Sequence, residues 1–393
     1  MKLQTLSFFA CLLVGAPCSA QQNPFPVSED GLEYLSGQAL FEKIWVSAPA
    51  STKASDGLGP LYNARSCAQC HQSAGKGSPE PGLVYRIADE RYGAQLQTRA
   101  VRGLGAEPRI MRSYSTNLEV LNDSVEVMLH QPIYEFADHG TGLLPFSPRL
   151  ATSLAGVGLL ESIPLAALLA RADPDDSNND GISGRAGKGR FGWKADVGSL
   201  EEQLALALSL DIGISSELKP NPMGDCTRLQ EECLMLPNGA SVQDANLEIG
   251  RTAFMSLLHF VRNIPVMTDV NAEQNRHAAG QQLFQEIGCQ DCHQTGYLNG
   301  QINPYSDLLL HDMGDRLADT LEDSMSREWR TAPLWGLAAY SLSDEQYYLH
   351  DGRARSLIEA ILWHGGEAES TKQAFAALSS RDREDLISFL QGI

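Results

Sequence analysis

The pattern Cys-x-x-Cys-His occurs twice in this chain, as "CAQCH" from Cys67 to His71 and "CQDCH" from Cys289 to His293. Each copy places two thiols three residues apart, so one turn of chain presents both to the edge of a single flat group. The imidazole that follows then reaches a metal at the centre of that group. This is the attachment signature of a c-type haem, with thioether bonds from the cysteines and a proximal histidine. A redox CxxC pair needs no histidine after it, and a zinc site needs further ligands that neither copy obviously supplies nearby. Two copies therefore predict two covalently bound haems: one on Cys67, Cys70 and His71, the other on Cys289, Cys292 and His293.

Such attachment is made outside the cytoplasm, and the N-terminus agrees with export. "MKLQTLSFFACLLVGAPCSAQQ" has Lys2, a mostly apolar run from Leu6 to Val14, and small residues ending at Ala20. That is the layout of a secretory signal peptide over residues 1–20, and it predicts a periplasmic protein. "FFAC" and "GAPC" fit a lipobox poorly. The apolar run is too short for a membrane span, and no later segment approaches 18 consecutive apolar residues. Of the eight cysteines, Cys11 and Cys18 leave with the signal and four belong to the two motifs. Cys226 and Cys233 remain, and an oxidising compartment predicts a disulfide between them; their spacing could also suit a metal, but no histidine is near. The formal net charge of −19 argues against nucleic acid or an anionic membrane as partner and favours steering of a basic one.

The chain also repeats itself around the motifs. "GQALFEKI" from Gly37 matches "GQQLFQEI" from Gly280, each with Leu, Phe and Ile at helical spacing. "WKADVGSLEEQLALAL" from Trp193 matches "HDGRARSLIEAILWH" from His350, each opening an amphipathic helix at a Ser-Leu pair. Upstream of these, "TSLAGVG" at Thr152 is similar to "APLWGLA" at Ala332. The repeats predict a mainly α fold of two cytochrome c-like haem lobes, the first enlarged by insertions. Residues 21–270 form the N-terminal lobe and 271–393 the C-terminal lobe, with the boundary near residue 270.

The two-lobe arrangement resembles the bacterial di-haem cytochrome c peroxidases and the di-haem enzyme that matures methylamine dehydrogenase. The blocks "GVGLLESIP", "NNDGISGRAG", "GRFGWKADVGSLEEQ", "YSDLLLHDMGDRLAD", "RTAPLWGL" and "HDGRARSLIEAILWHGGEA" resemble more closely still the di-haem oxidoreductase family of peroxidase-like proteins. They are spread over most of the mature chain.

That resemblance implies roles for particular residues. The peroxidases carry the sixth ligand of their electron-transfer haem fourteen residues after the start of the HDG-like motif; here that residue is His364, where they have methionine. The second haem would then be bis-histidine, through His293 and His364, and lower in potential than a His/Met haem. Met313 is the competing ligand and His311 the third choice. The equivalent place in the first lobe is Ala207, which cannot bind iron, and the peroxidases' displaceable histidine maps onto Ile87. The first haem is thus expected to keep an open sixth site, with Met128, His130 and His139 as candidate ligands from the insertion.

Trp193 aligns with the tryptophan between the haems of the peroxidases and is the candidate relay, with Trp335 and Trp363 as alternatives. Gln203 aligns with their distal glutamine. Their distal glutamate maps onto Gly213, which cannot move a proton, so Asp211 becomes the candidate acid–base group. "DDSNNDGISG" matches the first half of a calcium loop through Asp176, Asn178 and Asp180. Its closing glutamate is absent, because position twelve is Gly187, so calcium site and simple Asx turn both stay open.

Three functions fit these features: a periplasmic di-haem peroxidase fed by a small redox protein (cytochrome c or cupredoxin), a di-haem oxidase of a protein or thiol substrate, and an electron-transfer cytochrome without catalysis. An open first haem favours the first two, with hydrogen peroxide or an oxidisable substrate as reactant.

Overall fold

Gly37 and Gly280, which open the matching segments, each sit where two helices cross closely. The computed structural model describes residues 29–72, 75–137, 144–266, 274–321, 324–341 and 345–393. The helices that position the site are α1 (Glu29–Glu42), α2 (Leu200–Ala207), α3 (Arg251–Arg262), α4 (Gln274–Glu286), α5 (Leu357–Trp363) and α6 (Ser380–Gly392). A methyl group at Gly37 would collide with the Ser256 carbonyl and Phe260 of α3, and one at Gly280 with the Asp385 carbonyl and Phe389 of α6. Only glycine permits either approach, and it permits the same one twice. Four residues on, Phe41 meets Phe260 at 5.2 Å between centroids and Phe284 meets Phe389 at 5.4 Å.

Strand content corrects the expectation of a mainly α fold. Helix accounts for 35% and strand for 19% of the described residues, so the architecture is mixed. Most of the strand lies between the two parts of the repeat in the first half of the chain. There β1 (Leu83–Asp89) is flanked antiparallel by β2 (Gly93–Gln95) and, over Leu83–Ile87, by β5 (Phe146–Leu150). Between them, β3 (Arg109–Val120) and β4 (Glu126–Ala137) form a long hairpin in register from Arg109↔Ala137 to Val120↔Glu126. Ile110, Tyr114, Val120, Val127, Ile133, Tyr134 and Phe136 are β-branched or aromatic and favour these strands, and the Asn122-Asp123-Ser124 turn, with Ser124 at φ 63°, closes them.

Among the described residues two large apolar cores result, beside two smaller clusters. One gathers Phe41, Leu204, Leu257 and Phe260 from α1, α2 and α3. The other gathers Phe284, Trp363, Phe375 and Phe389 from the C-terminal helices. Each borrows from the other half of the sequence: Tyr297 and Leu308 enter the first core, and Leu121, Leu129 and Trp193 enter the second. The expected boundary near residue 270 and the leader at 1–20 lie outside the described residues. Cys226 and Cys233 are joined by a disulfide. Among the described residues, no helix is long and apolar enough to cross a membrane.

Candidate functional site

Both Cys-x-x-Cys-His motifs open onto one cavity of about 620 Å³. Cys67, Cys70 and His71 line it on one side, and Cys289, Cys292 and His293 on the other. Trp193, Gln203, Asp211, Met313, Trp335 and His364 also face it. Residues from widely separated stretches of sequence are thus brought to one space.

The histidines are set in one repeated way. His71 Nδ1 lies 2.9 Å from the Thr152 carbonyl, His293 Nδ1 2.9 Å from that of Tyr305, and His364 Nδ1 2.8 Å from that of Ala360. A carbonyl can only accept, so each Nδ1 carries the proton and each Nε2 keeps a lone pair. Burial holds all three pKa values down, that of His293 to about 4, so the rings stay neutral. A neutral imidazole tied through one nitrogen to a carbonyl is the arrangement of a metal-bound histidine. Phe41 lies 6.4 Å from the His71 ring and Phe284 6.4 Å from the His293 ring, so the repeated phenylalanines flank the motif histidines.

The four motif thiols are free; Cys70 is buried and the other three are half-buried. Burial, reinforced by the Asp211 charge beside the first pair, pushes Cys67 and Cys70 up to about 12. Burial does the same to Cys289, with the Asp291 charge adding to it, and also raises Cys292. Thiols held protonated are poor redox nucleophiles and poor thiolate ligands, so the pairs suit thioether formation better than a redox dithiol. An orphaned buried donor, the Arg86 Nε, fits an anionic group such as a haem propionate, because Arg86 lines the same cavity.

His364 sits at the C-terminal cap of α5 and lines the same cavity as His293. Met313 lines the cavity on the same side. His311 is committed elsewhere: Nε2 lies 2.9 Å from Asp307 and Nδ1 2.6 Å from Glu367. Burial opposes its charge, but these carboxylates overcome that and hold it protonated, so it offers no lone pair. In the first half, α2 ends at Ala207 on the cavity wall. Ile87 is packed into the sheet, Met128 is 53% exposed on the hairpin, and the His130 ring faces Glu359, so none of the three lines the cavity. His139 lies outside the described residues.

Asp211 occupies a single π-turn, Leu208–Ile212, that continues α2. Its Oδ1 accepts from Gln95 Nε2 at 2.7 Å, and burial raises its pKa against the pull of Arg86. Gly213, at φ 77°, lies back to back with Gly59, so a side chain there is excluded. Trp193 donates from Nε1 to the Leu150 carbonyl at 2.8 Å. It meets His350 edge-on at 6.4 Å, and His350 lies flat on Trp329 at 3.6 Å and 8°. Trp335 packs in the first core at the cavity wall, whereas Trp363 is buried in the second core away from it.

Sequence reasoning missed His350 and Trp329 as site residues, although His350 occupies the place of Trp193 in the repeat. It also missed Lys76, which faces the cavity below Tyr348 at 5.0 Å, where burial pushes its pKa down to about 7. Asp176, Asn178 and Asp180 lie in an exposed loop outside this cavity. There the Asp180 and Gly181 amides bond to Asp176 Oδ1 at 3.0 and 3.2 Å, and Asn178 Nδ2 bonds to Asp180 Oδ2 at 2.8 Å.

The family described as "Di-haem oxidoreductase, putative peroxidase" matches residues 10–91 and 144–393. No curated protein matches the chain. Among solved structures, hydrazine synthase of Kuenenia stuttgartiensis pressurised with xenon aligns over 99% of this chain and 100% of that one. At 13% identity and a TM-score of 0.40, that likeness is too weak to bear on function. The family match spans most of the sequence and includes both motifs: the chain belongs to the di-haem oxidoreductase family, with haem as its cofactor.

Proposed function

We propose that this chain is an exported, periplasmic di-haem oxidoreductase that reduces peroxide at the first haem site, with electrons entering through the second. Cys67 and Cys70 would attach one haem and Cys289 and Cys292 the other. His71 and His293 would bind the irons through Nε2, the nitrogen their carbonyl partners leave available. When bound, haem iron supplies the electron chemistry that peroxide reduction requires.

The protein's own groups divide the remaining tasks. The observation that carries the reading is that equivalent helix ends, α5 and α2, bring His364 and Ala207 to the same cavity. His364 would supply a sixth ligand on one side, whereas Ala207 supplies none on the other. Gln203 would hold the incoming peroxide, and Asp211 would carry a proton from its inner to its outer oxygen. Trp193, with His350 and Trp329 beside it, gives a short aromatic path between the two motifs. The acidic exterior would draw in a basic donor such as a small cytochrome or cupredoxin. Calcium on Asp176, Asn178 and Asp180 would require those oxygens to exchange loop amides for the ion.

Titration of the oxidised and half-reduced protein with cyanide, followed by electron paramagnetic resonance, tests the open first site. Binding at one haem supports the reading. Two haems that both stay six-coordinate and low-spin would favour an electron carrier instead.

A further inference from the structure

Residues 92–143 fall outside the family match, and the β3–β4 hairpin makes up more than half of that stretch. This insertion is docked on the C-terminal half of the chain. Leu129, 0% exposed, packs in the second core, and the Asn122 amide donates to the Ala376 carbonyl at 3.1 Å. Further along, the hairpin grips α5 itself. Glu359, 2% exposed, accepts from the His130 amide at 2.6 Å and from His130 Nδ1 at 3.0 Å. The same carboxylate accepts from the Arg355 amide at 2.7 Å and the Trp363 indole at 3.3 Å. At the hairpin's base, Tyr134 donates to Asp351 Oδ2 at 3.0 Å and Arg112 to the Asp351 carbonyl at 3.0 Å.

The contacts to Asp351 and Glu359 converge on the segment that delivers His364. Glu359 is followed directly by Ala360, whose carbonyl fixes His364 Nδ1. The first half supplies an internal control. Glu202 stands three residues after the cap Ser199, as Glu359 stands after Ser356, yet Glu202 is exposed and its helix ends in Ala207. The grip is present on the helix that ends in a candidate ligand and absent from the one that does not.

We propose that His130 and Glu359 are positioning residues through which the inserted hairpin holds His364 at the second haem. This rests on reading His364 as that haem's sixth ligand. A buried carboxylate that loses one of its donors shifts toward another partner, and α5 shifts with it. His364 then yields its place more readily to an outside ligand.

The test uses the haem-loaded protein and three readouts: spin state, cyanide affinity of the second haem and thermal stability. His130→Ala and Glu359→Ala should raise the high-spin signal and tighten cyanide binding at that haem about tenfold, as lost outer-shell partners do. His130→Gln, which keeps a donor, should restore low spin, whereas His130→Leu should not. If the variants lose stability while the spin state and cyanide affinity of the second haem stay unchanged, the hairpin is structural only and the proposal is overturned. The His130 side chain is 27% exposed, so its variants decide the matter should Glu359→Ala fail to fold. His364→Ala, run alongside, separates the two claims. Should it leave the second haem low-spin, the ligand reading fails; should it alone convert that haem, only the grip fails.

Discussion

Trp193 and His350 occupy equivalent places in the repeated segments, and the fold brings them together edge to face with 6.4 Å between ring centroids. The repeat thus supplies both sides of a contact in the wall of the cavity that the two motifs share. Trp329 lies flat on the far face of His350, with the Lys194 ammonium 3.6 Å from the Trp329 ring centroid.

An aromatic path of this kind makes Trp193→Phe informative. The variant should load two haems and slow electron passage between them about tenfold, equivalent to about 1.4 kcal/mol of barrier. It should also lose about 1 kcal/mol of stability with the bond to the Leu150 carbonyl. Flash photolysis of the half-reduced protein measures the rate. An unchanged rate would remove Trp193 from the path.

Ligation of the second haem is decided by two single variants. His364→Ala should turn that haem high-spin, and Met313→Ala should leave it low-spin, as read by electron paramagnetic resonance. The reverse pattern would move the assignment to Met313, which faces the same cavity.

The helix crossings at Gly37 and Gly280 should be equally intolerant of a side chain. Gly37→Ala and Gly280→Ala should each cost about 1–3 kcal/mol through overpacking, measured by urea unfolding. Two silent variants would mean that the close approach of these helices is not maintained in solution.

Asp211 should show its burial in two pH profiles. Its folded-state pKa is raised, chiefly by desolvation, so its contribution to stability is fully present below the unfolded carboxyl value of about 3.9. That contribution is lost as pH rises through the higher folded value. Asp211→Asn should therefore stabilise the protein at neutral pH in thermal unfolding. If Asp211 moves the proton, peroxide reduction should fall as pH drops through the raised value, and Asp211→Asn should flatten that limb. Cyanide affinity should change far less.

The Cys-x-x-Cys-His motifs, the paired glycines and the Ser-capped helices were legible in the sequence because close helix crossing and capping allow few residue types. The hairpin was not. Its inward face holds Ile110 near the base but Leu129, paired with Asn117, near the tip. In β4 the covered side passes from Val127 and Leu129 near the tip to Pro132, Tyr134 and Phe136 near the base, so no single alternation runs its length. The mixed α and β character was missed for that reason. The surroundings of His311, the third-choice ligand, were hidden for a different one: Glu367, which lies against its second nitrogen, is 56 residues away in the sequence.

The central claim is that the first haem site is open while the second is closed, and cyanide binding to the half-reduced protein tests it most directly. We expect one haem per chain to bind cyanide and change spin state. The responding haem should be the one held by His71, because Ala207 offers no ligand where α5 offers His364. Binding at both haems, at neither, or only at the one held by His293 would contradict the account.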